Sequence, residues 1–441
     1  MKQETFHLQQ KFLCSCGRTH RMQVENIICE KGALNRLPEL LRSYGATRAF
    51  LLADRKTFTA AGQKAGSILE AAKFPFSTYV FPVSPEPNEA AVGSCIMHFD
   101  NACDVILAVG SGVINDLTKL LSRISGRRYL IIATAPSMDG YASSTSSMSM
   151  DGLKVSLPTA CPKAIIGDTD ILRQAPKRML LAGIGDMLAK YISICEWRIS
   201  HLITGEYYCE TIAGMVRSAL NKCVRCADGL LNRDEDAVAA VFEGLIVGGV
   251  AMSYAGISRP ASGVEHYFSH IWDMRGLEFG TATDLHGIQC AVATLIAVRL
   301  YEQVQQIVPD REAALSSAAS FDYEEWSLHL KKFLGKGALA MIELEQKEHK
   351  YSPEFHAARL AIILEKWEEI LSVVREEIPS SQDLDALFVK MGIPRSVPEL
   401  GIDPDTLPMT FMATKDIRDK YVLSKLAWDL NVIDRLNDAL R

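Results

Sequence analysis

Three of the ten histidines in this chain of 441 residues fall between positions 266 and 286: His266, His270 and His286. His266 and His270 are four residues apart and so share one face of a helix. A single buried histidine is ordinarily a satisfied core residue, whereas three so close in sequence point to a metal. Two imidazoles need a carboxylate to complete a set that leaves coordination positions open for a substrate. Asp186 is the acid that fits. It lies inside an otherwise apolar, glycine-spaced run, Gly183-Ile-Gly-Asp-Met-Leu-Ala189. A buried carboxylate is costly unless paired, and a divalent cation is an effective partner for it.

A second kind of chemistry is written in Gly110-Ser-Gly-Val-Ile-Asn-Asp-Leu-Thr-Lys119. A strand ends in Gly-Ser-Gly and a helix begins, so amide N–H groups and a helix N-terminus face one point, as a pyrophosphate requires. The pattern is not G-x-G-x-x-G, and a glycine pair here also suits a plain tight turn. Asp54, closing an earlier strand, is placed either to bind the ribose hydroxyls of a dinucleotide or simply to cap a helix. The stretch Thr134-Ala-Pro-Ser-Met-Asp139 brings two hydroxyls and an acid, Thr134, Ser137 and Asp139, to the same edge. Turn chemistry alone would favour similar residues. Two cysteine spacings, Cys14-Ser-Cys16 with His20 and Cys223-Val-Arg-Cys226, lack a second pair at zinc-site spacing and are assigned no chemistry.

The elements that must position these groups divide the chain in two. Short apolar, β-branched runs recur at Arg48–Asp54, Thr78–Pro82, Asp104–Gly110, Tyr129–Thr134 and Lys163–Gly167. Several start about 25 residues apart, the spacing of strand, crossover helix and next parallel strand. Runs apolar on both faces suit a sheet covered by helices on both sides. Asp54, Gly110 and Thr134 then stand at carboxyl strand ends, where ligands gather in such sheets. The expectation is a Rossmann-like, parallel-sheet α/β domain over residues 1–170. From about Asp170 apolar residues recur at three- and four-residue spacing, through Met179–Trp197 and again through Ala357–Trp367. An all-helical domain over 171–441 is expected, with the active site in the cleft between the two.

Hydrophobic residues make up 48% and charged residues 23%, which excludes a disordered chain. The net charge of −6 argues against broad nucleic-acid coating. The stretch Gly244–Ser258 is too short and too rich in glycine for a membrane span, and the N-terminus has no apolar core of a signal peptide. Eleven scattered cysteines are expected to be reduced thiols in the cytoplasm.

Taken together, strand-end Asp54, GSGVINDLTK, TAPSMDGYAS, GIGDMLAK, SRPASGVEHYFSH and DLHG resemble the glycerol-1-phosphate dehydrogenase family. That family belongs to the superfamily of iron-containing alcohol dehydrogenases and dehydroquinate synthases. The resemblance runs from about residue 10 to 300 and resumes at Ile417-Arg-Asp-Lys-Tyr-Val-Leu423, similar to the family's closing helix. Residues 340–400 have no counterpart in it and read as lineage-specific helices.

The resemblance implies that Asp186, His266 and His286 are metal ligands, for one zinc, nickel or iron ion. It implies that Asp139, Asp186 and His270 form the catalytic and substrate-binding set. Asp54, Gly110, Ser111, Gly112, Asn115, Asp116, Thr134, Ser137 and Ser143 become the NAD(H) contacts, with NADP(H) the lesser alternative. The implied reaction is reversible reduction of dihydroxyacetone phosphate to sn-glycerol 1-phosphate, a step toward phospholipids, in a cytoplasmic homodimer free of nucleic acid and membrane. His270 is the expected proton relay and Arg259 a candidate cation for the phosphate. Another metal-dependent polyol or alcohol dehydrogenase, or a dehydroquinate-synthase-like lyase, is the alternative on the same scaffold. Aspartate rather than glutamate at position 186 argues against the lyase.

Overall fold

The β-branched runs of the first 170 residues form one all-parallel sheet in the computed structural model, which describes residues 8–440. A hairpin of β1 (Lys11–Leu13) and β2 (Thr19–Arg21) precedes it. The sheet strands are β3 (Asn26–Glu30), β4 (Ala49–Asp54), β5 (Phe76–Phe81), β6 (Val105–Gly110) and β7 (Arg128–Ala133). A second hairpin, β8 (Thr145–Met150) and β9 (Leu153–Pro158), comes before the last sheet strand, β10 (Ala164–Asp168). The spatial order is β3-β10-β7-β6-β4-β5, and every sheet pairing is parallel.

The order β5-β4-β6-β7-β10 is the 2-1-3-4-5 arrangement of doubly wound sheets, with β3 added at the far edge. Its chain direction reverses between β4 and β6, so Asp54 and Gly110 end the two strands that flank the switch point. Central strands β4, β6 and β10 are buried at every residue, as strands covered on both faces must be. Edge strands β3 and β5 are only partly buried, and their mixed composition follows from that position. The five strands expected from sequence are present with ends shifted by two residues or fewer. Unanticipated were β3, a five-residue edge strand with polar ends, and the two hairpins. The β8–β9 turn did carry a signal: Asp151 and Gly152 both adopt positive φ, as an Asp-Gly hairpin turn requires.

By compactness the chain forms two units, and the division is not a single cut at residue 170. The first unit holds residues 1–151, 155–187 and 210–257; the second holds 152–154, 188–209 and 258–441. Helix Lys177–Leu188 and the long helices Glu210–Leu231 and Glu235–Ala255 therefore belong with the sheet. Apolar periodicity marks a helix but not which core it serves, so this exchange was invisible in the sequence. Helix Glu235–Ala255 is long and apolar enough to cross a membrane, yet most of it is buried inside the protein. The expected continuous helix through Trp197 breaks at Ala189, three residues past Asp186, and resumes as Lys190–Thr204.

The second unit is built on Lys190–Thr204, Val264–Phe279 and His286–Val304, followed by helices from Arg311 to Asp438. The segment Ile417–Val422 is not part of a closing helix. It is a bend between helices Leu407–Thr414 and Leu423–Asp429. Tertiary bonds hold it in place: the Tyr421 carbonyl accepts from Arg259 Nη1 at 2.8 Å, and Lys420 Nζ donates to the Ser262 carbonyl at 3.2 Å.

Candidate active site

At the carboxyl edge of the sheet, Asp54 leaves β4 and caps the helical turn that follows. Its Oδ1 accepts from the Thr57 amide at 2.8 Å, and Thr57 Oγ1 accepts from the Asp54 amide at 3.0 Å. This reciprocal box fixes the carboxylate at the switch point while employing only one of its two oxygens. Helix Gly112–Ser125 starts beside it at the end of β6, so its first amides and positive dipole end face the same edge. Ser111 Oγ and Ser137 Oγ are 2.6 Å apart, which ties the glycine turn to the loop after β7. The Thr134 amide donates to the Gly110 carbonyl at 3.0 Å.

Packing leaves no room for a side chain at Gly110. A Cβ there would lie 2.6 Å from Ile114 Cβ.

Three residues expected to contact the dinucleotide also bond within the protein. Asn115 is wholly buried: Nδ2 donates to the Gly140 carbonyl at 3.2 Å and Oδ1 accepts from Tyr129 OH at 3.2 Å. Asp116 accepts from the Ser147 amide at 3.2 Å and from Lys119 Nζ at 3.3 Å, anchoring the β8–β9 hairpin. Ser143 is bound to Lys119 Nζ at 2.9 Å. Their side chains hold the 140–147 segment in place. Lys119 bonds two of them, Asp116 and Ser143, and shares the Gly140 carbonyl with Asn115. Buried at the base of the loop, it donates also to the carbonyls of Gly140 and Thr145, both at 2.8 Å. The sequence placed it inside the motif without revealing that duty.

The loop then delivers Asp139, whose amide donates to Asp186 Oδ2 at 2.9 Å. Asp186 is completely buried on helix Lys177–Leu188. That helix approaches the loop closely through Gly183, where a Cβ would stand 1.8 Å from the Pro136 carbonyl oxygen. Glycine is the only residue this contact tolerates.

In the helical unit, His266 and His286 converge from helices Val264–Phe279 and His286–Val304, with ring centroids 5.0 Å apart. His270 lies 5.9 Å from His286. Donor atoms of His266, His286 and Cys290 lie within 4.8 Å of one another. Each of the two converging imidazoles is oriented through Nδ1. His266 Nδ1 faces Glu265 Oε1 at 2.7 Å, and His286 Nδ1 faces Ser269 Oγ at 2.9 Å. With Nδ1 donating in both, Nε2 is the nitrogen each ring would offer a metal, the arrangement found behind metal-bound histidine; His286 Nε2 also lies 3.6 Å from Cys290 Sγ. His270 Nδ1 is buried and has no hydrogen-bond partner. Burial, reinforced by His286 and His266 alongside, pushes its pKa well below the ordinary imidazole range. Two oriented imidazoles beside an unsatisfied third are a donor set that fits a divalent cation such as zinc, nickel or iron.

Two carboxylates behind the histidines went unnoticed in the sequence. Glu265 is fully buried, and burial raises its pKa to about 7. Glu196 is pushed up to about 8 by burial and by Glu265; it accepts from the amides of Val264 and Leu423, both at 2.8 Å. The available signal was Glu265 standing directly before His266. Arg259 does not serve as an available cation. Its Nε and Nη2 bind Glu206 at 2.9 and 2.7 Å, Nη2 also meets Ser200 Oγ at 3.0 Å, and only 2% of it is exposed.

A doubly wound parallel sheet with a helix N-terminus at its switch point, and a helical unit bearing paired histidines, define a dehydrogenase scaffold of the iron-containing alcohol dehydrogenase class. Residues 28–176 match the family described as iron-containing alcohol dehydrogenase. Over 294 residues the chain is 35% identical to the glycerol-1-phosphate dehydrogenase [NAD(P)+] of Halalkalibacterium halodurans, covering 66% of this chain and 74% of that one. It is 39% identical over 202 residues to the enzyme of the same name from Pyrococcus furiosus, covering 46% and 57%. The chain belongs to the glycerol-1-phosphate dehydrogenase family. Among solved structures, glycerol dehydrogenase from Schizosaccharomyces pombe shares the fold, with a TM-score of 0.60 and 18% identity over 95% of this chain and 91% of that one.

Proposed function

We propose that this protein is a metal-dependent, NAD(P)-linked glycerol-1-phosphate dehydrogenase that interconverts dihydroxyacetone phosphate and sn-glycerol 1-phosphate. The observation that carries the reading is the convergence of His266 and His286, each oriented through Nδ1, in a chain of this family. Asp186 would join them in holding the metal. A divalent ion held there supplies Lewis-acid polarisation of a ketone oxygen, and a bound nicotinamide supplies or accepts the hydride.

The chain's own residues do the rest. The first amides of helix Gly112–Ser125 and the Ser111–Ser137 pair receive the pyrophosphate, and the second oxygen of Asp54 receives the adenosine ribose. Asp139, next to Asp186 on the loop, contacts substrate hydroxyls. His270, neutral at neutral pH, is the group that exchanges a proton with the substrate oxygen. In the cell the enzyme acts as a cytoplasmic homodimer supplying glycerol phosphate backbones for lipids.

Consumption of NADH, followed by absorbance, tests this. With added divalent metal, dihydroxyacetone phosphate should be turned over and unphosphorylated dihydroxyacetone far less. Equal turnover of both ketones, or none of the phosphorylated one, would overturn the proposal.

A further inference from the structure

The second candidate cluster lies away from this chemistry, in the β1–β2 hairpin. Its sequence, Cys14-Ser-Cys16-Gly-Arg-Thr-His20, offers three donors, and sequence alone supplies no fourth at local spacing. In the structure Cys14 Sγ, Cys16 Sγ and a ring nitrogen of His20 lie within 4.8 Å of one another. The hairpin turn forces this grouping. The Cys14 amide donates to the Arg18 carbonyl at 2.9 Å, the Gly17 amide donates to the Cys14 carbonyl at 3.0 Å, and Gly17 adopts a φ of +83°.

His20 is 1% exposed and is oriented as a ligand would be. Its Nδ1 stands 2.9 Å from the Tyr254 carbonyl oxygen, and its Nε2 faces Cys16 Sγ at 3.4 Å. An imidazole donating from Nδ1 to a carbonyl presents the Nε2 lone pair to whatever lies among the thiols. The rings of Phe12 and Tyr254 pack beside it, with centroids 5.1 and 6.0 Å away.

The fourth donor follows from the chain. Cys14 Sγ donates to Thr211 Oγ1 at 3.3 Å, near the start of helix Glu210–Leu231. Two residues before Thr211, peptide-bonded to the first residue of that helix, is Cys209, itself 1% exposed. No disulfide occurs among the described residues.

We infer that Cys14, Cys16, His20 and Cys209 form a structural zinc site that clamps the β1–β2 hairpin to the start of helix Glu210–Leu231. Three thiolates and one imidazole are the closed, tetrahedral donor set of structural zinc, with no position left for substrate. Zinc binding displaces the thiol protons, after which the Thr211 hydroxyl becomes a donor to the Cys14 sulfur. A hairpin with three residues per strand has little stability of its own, so a metal clamp gives it a reason to persist.

The test uses the full-length protein prepared with zinc. X-ray absorption at the zinc edge should show a three-sulfur shell at about 2.3 Å. In the His286→Ala variant this shell should remain, with one zinc ion per chain by elemental analysis. Cys16→Ser and Cys209→Ser should each lose that zinc equivalent. A wild-type spectrum containing only nitrogen and oxygen, or retention of the three-sulfur shell in Cys209→Ser, would overturn the assignment. The catalytic reading is tested separately, because it includes no three-thiolate set. The wild-type spectrum needs no variant to fold.

Discussion

His266 Nδ1 lies 2.7 Å from Oε1 of Glu265, its immediate neighbour in the chain. Adjacent helical residues normally point in different directions. Here the Glu265 carboxyl is turned back by the Gly263 amide, which donates to the same oxygen at 2.8 Å. The consequence is an imidazole fixed at Nδ1, with Nε2 the nitrogen it would offer a metal. Carboxylates in this position tune metal affinity about 10–100-fold. Glu265→Gln keeps an acceptor for Nδ1 but loses the charge and should weaken metal binding about tenfold; Glu265→Ala should approach about 100-fold. Competition against a chromophoric chelator measures both. Unchanged affinity in the alanine variant would mean that His266 is not oriented through Glu265.

The three histidines should separate into two behaviours. Loss of either oriented imidazole, in His266→Ala or His286→Ala, should remove the catalytic metal and abolish turnover, since two remaining donors hold a divalent ion poorly. His270→Ala should retain the metal and lose turnover, because its role is proton exchange. Elemental analysis beside steady-state kinetics distinguishes them. Metal loss in His270→Ala would make it a ligand.

How much of this was legible in the sequence depended on whether the determining contact was local. Strands β4, β6, β7 and β10 announced themselves because central parallel strands are apolar on both faces. The histidine grouping could be read because two of its members share a helix face. The internal bonds of Asn115, Asp116 and Ser143 were invisible because polar residues near a strand's carboxyl end look alike whatever they face. Only the fold reveals Lys119 against Asp116 and Ser143. Glu196 lies 69 residues before its partner Glu265, and its amide donors come from Val264 and Leu423; no spacing rule could have joined these residues. Helix Glu235–Ala255 shows an apolar surface nearly all round, which marks burial without saying in which unit.

Asp54 has two duties, and a pair of substitutions separates them. Asp54→Ala removes both the cap and the ribose acceptor. It should cost about 1 kcal/mol of stability from the cap and weaken NADH binding by about 1.5–3 kcal/mol, the range for a charge-assisted hydrogen bond. Asp54→Asn should keep the cap, since asparagine caps as well as aspartate, while removing the charge that repels a 2′-phosphate. The ratio of kcat/KM for NADPH over NADH should therefore rise in Asp54→Asn at nearly unchanged Tm. Lys56, two residues on, offers the phosphate a cation and should make the gain larger. An unchanged ratio would place the ribose elsewhere on the sheet edge.

Glu196 makes stability depend on pH in a definite direction. Burial and the nearby Glu265 raise its pKa from 4.5 to about 8 in the folded protein. Between those values the folded state holds a proton that the unfolded chain has released, so stability falls as pH rises. The contribution is fully present below about 4.5 and is lost by the time the pH has passed about 8. One proton limits the slope from this residue to about 1.4 kcal/mol per pH unit. Burial lowers the pKa of Lys420 and Lys425 to about 7, which works in the opposite sense above neutrality. Comparison with Glu196→Gln removes their effect, because both lysines are present in both proteins. The variant retains the volume and one carbonyl acceptor for the Leu423 or Val264 amide, but it cannot titrate. Urea unfolding across the window should show the variant gaining stability relative to wild type as pH increases from about 5 to 8. A difference independent of pH would show that Glu196 binds the same number of protons folded and unfolded.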